Sequence, residues 1–172
     1  MERQVQQQLS AEMGAFHLPR YHEIPDVGLY LEQTTKYISD ILAPLADAAV
    51  TASMISNYVK RGLIANPVKK KYSREQIAYL VYIAVVKNVL SMDEIRITVG
   101  VQQRSYLPQV AYDYFCAELE NMLDYILGRT EQPEVIGVDS TEEKIMLRNT
   151  IITVAHKIYL DKMFSVLQKE EK

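Results

Sequence analysis

The chain has 172 residues, 48% of them hydrophobic and 24% charged, with a formal net charge of −3. That much apolar side chain excludes disorder as the main state and suits one domain or two small, closely packed ones. The overall acidity argues at first against a nucleic-acid partner, but the charge is unevenly spread. Residues 1–50 sum to −4, residues 51–110 to +6 and residues 111–172 to −5. Within Thr51–Arg74 there are six basic side chains and no acidic one. A basic block between acidic flanks is the footprint of one module facing a polyanion.

The first residues, Met1 to about Ala15, are polar and Gln-rich, without the apolar segment of a signal peptide. They are expected to form a mobile or weakly helical lead. The prolines of His17–Pro25 bias their predecessors away from helix, so residues 1–25 are expected to be extended or mobile. No apolar run reaches the roughly 18 residues of a membrane span. A cytoplasmic location and no membrane partner are therefore expected.

Asp26 is a candidate N-cap. Tyr30, Thr34, Tyr37, Ile38, Ile41 and Leu42 then repeat at helical spacing until Pro44. A short helix is predicted from Thr51, its N-cap, to Arg61, with Gly62 as the left-handed residue that ends it. Ile55, Tyr58 and Val59 form its inner face, with Met54 at the margin. Ser53, Ser56, Asn57 and Lys60 point outward. Asn66–Tyr72 is too short and polar for a helix and reads as a tight β-like loop. Ser73-Arg-Glu-Gln76 and Ser91-Met-Asp-Glu94 are capping boxes that open two further helices, the second through about Val99. Pro108 sits in the first turn of a longer helix ended by Gly128. Its apolar stripe runs from Leu107 and Val110 to Ile126. A linker over Glu131–Asp139 leads to Ser140, the expected cap of a final helix to about Lys169. Ile145, Ile151, Ile152, Ala155, Ile158, Tyr159 and Val166 are expected on its buried side. The fold class is all-α, with a possible two-stranded wing.

A helix-turn-helix works because a short helix fits the major groove, about 12 Å wide, with small or amide side chains against base edges. Ser53, Ser56 and Asn57 are of that kind, and Asn57 can contact adenine through two hydrogen bonds. Lys60, Arg61, Lys69, Lys70, Lys71 and Arg74 are the candidate backbone contacts, giving affinity without sequence information. The bland alternatives are a solvated charged loop for the lysines and a solvent-facing residue or local backbone partner for Asn57. Tyr58 is chiefly core, and Tyr72 pins the loop.

Here the chain resembles the mercury-resistance-regulator (MerR) family. The resemblance rests on Tyr58, Gly62-Leu63-Ile64, Pro67, Tyr72-Ser73, Leu90-Ser91 and Glu94-Ile95, over Thr51–Val99. It implies a winged helix-turn-helix spanning residues 26–104, double-stranded DNA as partner, and a homodimer built on a helical region over residues 105–172. Three features depart from that family. Ser56 stands where the family usually has a backbone-contacting arginine, the wing is shorter, and the module is internal. They imply weaker DNA affinity or a different groove geometry, or a protein–protein adaptor on the same scaffold. Over Leu18–Gly128 the chain also resembles an uncharacterised bacterial family known only as a domain of unknown function. Leu18-Pro-Arg-Tyr, Ile24-Pro-Asp, Ser53-Met-Ile-Ser-Asn-Tyr-Val-Lys and Lys69-Lys-Lys-Tyr-Ser-Arg-Glu-Gln-Ile77 carry that likeness, which supplies no activity.

No enzyme signature is present: there is no Gly-rich phosphate loop and no nucleophile elbow. His22-Glu23 is an isolated pair. His17, His22 and His156 lack metal-ligand spacing, and neither a metal nor a cofactor is expected. The lone Cys116 reads as a small core hydrophobe. The twelve tyrosines fall mostly at core spacing, not on a stacking platform. The apolar stripes at 107–126 and 145–167 read as core plus a dimer surface. A pocket between them for an unknown small-molecule effector is the other reading.

Overall fold

The computed structural model describes residues 2–45 and 48–170; Met1 and the last two residues, which fall in the expected terminal regions, lie outside it. Among the described residues the α-helices are α1 (Glu2–Met13), α2 (Leu31–Leu42), α3 (Ala52–Lys60), α4 (Arg74–Val86), α5 (Met92–Ser105), α6 (Pro108–Ile126) and α7 (Glu142–Glu170). A 3-10 turn covers Tyr21–Glu23, and two short strands, β1 (Leu29–Tyr30) and β2 (Lys71–Tyr72), pair antiparallel. The expected all-α class holds in this mostly helical sense.

The centre is α4. Its sequence is apolar on every side, and a helix with no polar face belongs inside. All ten residues from Ile77 to Val86 are buried, and α2, α5, α6 and α7 pack around it. One continuous core takes residues from all seven helices and so runs across the 104/105 division expected from the sequence.

The local stop and start signals act as the sequence implies. Thr51 Oγ1 accepts the Met54 N–H at 3.1 Å. Gly62 has φ +72°. Ser73 and Ser91 each cap their helix, while Gln76 and Glu94 accept the cap residue's own N–H. Glu94 is held below the usual carboxylate range by the Ser91 backbone N–H.

Several expectations are corrected. The lead, expected to be mobile or weakly helical up to about Ala15, is a helix there, and a docked one: Val5, Leu9 and Met13 of α1 are buried at four-residue spacing. Gln6 donates to the Ile126 carbonyl at 3.2 Å, and Arg129 donates to Ser10 through Nε and a terminal nitrogen. Asp26 caps nothing; the N-cap position of α2 is Tyr30, whose N–H reaches Gln33. The cap of α7 is Thr141 rather than Ser140, with its oxygens receiving the Lys144 and Ile145 N–H groups. Helix α5 continues to Ser105. Leu107, Val110 and Ile145, placed on apolar stripes, are half or more exposed.

Cys116 is fully buried, its thiol pushed up to about 12 chiefly by burial. No helix among the described residues is long and apolar enough to cross a membrane.

Candidate nucleic-acid interface: helix α3 and the wing

Helix α3 is a short amphipathic helix anchored by two side chains. Ile55 and Tyr58 are buried, Met54 and Val59 half-buried, and Ser53, Ser56, Asn57 and Lys60 exposed. Burial pushes the Tyr58 phenol above its ordinary value, in keeping with a core role. After Gly62, Leu63 and Ile64 return to the core.

The loop that follows is a two-residue hairpin. Val68 and Lys71 exchange main-chain hydrogen bonds at 3.1 and 2.9 Å. Its tip residues, Lys69 and Lys70, have φ +49° and +64°. Positive φ at both central positions is the primed turn that matches strand twist, which normally selects Asn-Gly. Here both positions carry exposed lysines.

The hairpin, the candidate wing, takes its neighbouring strand from far upstream. β2 pairs with β1, Leu29 opposite Tyr72 and Tyr30 opposite Lys71. A Cβ at Gly28, which has φ +73°, would stand 3.1 Å from Lys71 Cβ, so the close approach needs glycine there. Tyr72 is buried, as expected of the residue that pins the wing. Gln76 holds the loop from the other side. Its Oε1 accepts the Ser73 N–H, and its Nε2 donates to the Ala65 carbonyl at 2.9 Å.

The nine sequence candidates separate into groups. Ser53, Ser56, Asn57 and Lys60 share the outward side of α3 with Arg61 exposed at its end, and Lys69 and Lys70 form the wing tip. Lys71 is exposed, but its ammonium stands 5.2 Å from the Tyr30 ring centroid. Arg74 turns inward. Its Nε donates to the Ile24 carbonyl at 2.8 Å, a terminal nitrogen donates to the His22 carbonyl, and the guanidinium lies over the Tyr21 ring. Arg74 is thus the clamp that holds the extended segment before β1.

Sequence reasoning missed Arg96. From α5 it donates to the Arg61 carbonyl at 2.8 Å, at the C-terminal end of α3. A cation there satisfies a free carbonyl and suits the helix dipole. Lys60, Arg61 and Arg96 are therefore basic neighbours, although no sequence spacing connects Arg96 to the other two.

A cleft of about 480 Å³ opens beside the wing, with Asp26, Asn66, Lys71, Arg74, Glu75 and Tyr79 on its walls. Its charges are of both signs. Among the described residues, no three His, Cys, Asp or Glu side chains gather where they could hold a metal.

A family model described as a domain of unknown function, DUF1836, matches residues 19–115, more than half of the chain. The chain belongs to that family. Its matched region runs from the extended segment before β1 through α5 and into the first two turns of α6, so it holds α3, the wing and the Arg74 clamp together. No curated protein and no solved structure matches the chain.

Proposed function

We propose that this protein binds double-stranded DNA as a transcriptional regulator of the bacterial cytoplasm, with a MerR-like winged helix-turn-helix made of α2, α3 and the wing. Helix α3 enters the major groove. Asn57, Ser56 and Ser53 meet base edges, while Lys60, Arg61, Lys69, Lys70 and Lys71 meet phosphates.

The observation that carries this reading is the wing tip. Left-handed backbone costs a residue with a Cβ on the order of 1 kcal/mol. Lys69 and Lys70 both bear that cost at the two positions where Asn-Gly would be comfortable. Strain held at an exposed site points to a use for the side chains that cause it. Two adjacent ammonium groups on a rigid turn are suited to a phosphate backbone. The protein is proposed to act as a homodimer, for which Leu160 and Phe164, exposed on α7, offer apolar surface.

Fluorescence anisotropy on genomic fragments, including the upstream region of the protein's own gene, tests the reading. Salt-dependent binding with preference for a subset of fragments is expected. Failure to bind any fragment at low salt overturns it. Light scattering that shows a monomer at high concentration removes the dimer.

A second reading, a protein–protein adaptor on the same scaffold, is favoured by Arg74. That cation is spent on main-chain carbonyls, and the neighbouring cleft adds Asp26 and Glu75 to the face.

A further inference from the structure

The linker between α6 and α7 is fastened near both ends. The Asn121 amide of α6 makes a reciprocal pair with the Glu134 main chain, both bonds 2.8 Å long. At the far end the Tyr106 hydroxyl donates to Asp139 at 3.0 Å, and Asp139 accepts the Thr141 N–H at 2.9 Å. Between these fastenings, residues 135–138 arch over α6. Beneath the arch lies a cavity of about 360 Å³, bounded by α6, the linker and the start of α7. Ligand sites are usually apolar hollows of roughly 300–1,000 Å³ with a few polar groups.

The walls are almost wholly apolar, with Val110, Ala117, Ile136 and Leu147 among them. Water in such a space finds few hydrogen-bond partners, so hydrocarbon displaces it favourably. One cation enters. Lys144 Nζ stands 5.3 Å from the Tyr114 ring centroid. Gly137, whose φ of +73° favours glycine, lies beside that ammonium. Among the described residues Lys144 Nζ has no carboxylate within ion-pair distance, though its charge helps to hold the Asp139 carboxyl below the usual range. The two carboxylates on the walls are already engaged: Asp139 by Thr141 and Tyr106, and Asp113 by the Tyr21 N–H at 2.8 Å.

We propose that this cavity binds a medium-chain apolar carboxylate, its chain along α6 and its carboxylate on Lys144 Nζ. The apolar walls select the chain, and the Lys144 ammonium selects the acid over a neutral compound of the same length. None of these residues belongs to α3 or the wing, so the outcome does not depend on DNA binding.

Isothermal titration of the full chain with octanoate and with octan-1-ol tests this. One saturable site is expected for octanoate, with at least ten-fold weaker binding of the alcohol. Lys144→Met should bring the two ligands to equal affinity. Ala117→Phe, which fills the cavity, should abolish both; if it loses its folded baseline in circular dichroism, the Lys144→Met comparison decides alone. Absence of saturation, equal affinities in the unaltered protein, or an acid preference that survives Lys144→Met overturns the proposal. So does octanoate binding that vanishes at concentrations where light scattering shows a dimer, because a second copy then occupies the cavity.

Discussion

Helix α4 buries ten consecutive residues, whereas α3, one loop before it, buries two of nine. The first is specified by what surrounds it and the second by what it leaves uncovered. In α4 almost every side chain contributes to stability. In α3 the fold uses Ile55, Tyr58, the half-buried Met54 and Val59, and the Thr51 cap, leaving Ser53, Ser56, Asn57 and Lys60 exposed. Side chains that the fold does not need are the ones available for recognition. The contrast makes a strong demand: changes in α4 should move stability, and changes on the outer side of α3 and the wing should move binding.

Leu80→Ala should give the largest effect. Leu80 is buried at the centre of the core, and truncating a buried leucine costs roughly 2–5 kcal/mol through forfeited transfer energy and the cavity left behind. Urea unfolding followed by circular dichroism measures it. A destabilisation below about 1 kcal/mol would mean that α4 does not centre the core.

The tyrosines of the interior give the next effect. Burial pushes the phenols of Tyr79 and Tyr82 up to about 12 from an ordinary value of 10.0. Below pH 10 both the folded and unfolded phenols are neutral, and their contribution is intact. Above pH 10 the unfolded phenols ionise while the folded ones resist, so stability falls as pH rises from 10 towards 12. For the more deeply buried Tyr82 this loss is on the order of 2 kcal/mol at pH 12. Its hydroxyl faces Thr98 and Gln102 without a hydrogen bond of proper length. Tyr82→Phe should therefore leave stability near neutral pH within about 1 kcal/mol and flatten the alkaline decline. A variant with an unchanged alkaline slope would show that Tyr82 ionises freely.

The wing turn comes third, and there the two properties should part company. Replacing Lys69 with Asn and Lys70 with Gly relieves two left-handed residues and should stabilise the fold by up to about 1 kcal/mol. The same change removes two ammonium groups. For each phosphate that then goes unneutralised, the salt slope of DNA binding should fall by about one unit, with all sequences weakened alike. Higher stability with undiminished binding would mean that the strained lysines serve no polyanion.

What the sequence displayed and what it hid divide along the same line. Thr51, Gly62 and the Ser73–Gln76 box act within a few residues of themselves, so their local chemistry is legible in the sequence alone. The buried and exposed sides of α3 follow from the helical period. The partner of β2 could not be read this way, because Leu29–Tyr30 is a two-residue strand with no alternation to mark it. The inward turn of Arg74 depends on carbonyls of His22 and Ile24, and the placement of Arg96 on the end of α3. Neither contact leaves a spacing in the chain. The docking of α1 had a faint signal, Val5, Leu9 and Met13 at four-residue spacing, outweighed by the glutamines around it. The cavity under the linker required knowing that Asn121 and Tyr106 fasten it.

Asn57→Ala should change the fold least, and that is its value. Asn57 is exposed on α3, and surface substitutions of this kind usually stay within about 0.5 kcal/mol. If Asn57 reads adenine through two hydrogen bonds, its loss should cost about 1–3 kcal/mol of discrimination at one base position while leaving the salt slope unchanged. Selection of binding sites from a randomised DNA pool, run side by side for the unaltered protein and the variant, separates this from a phosphate contact. Relaxed preference at one position in each half-site supports base reading by α3. Uniform weakening across all sequences would reassign Asn57 to the backbone. An unchanged site and affinity would take Asn57 out of the interface and strengthen the adaptor reading, since the outward side of α3 would then lack its best-suited base-reading group.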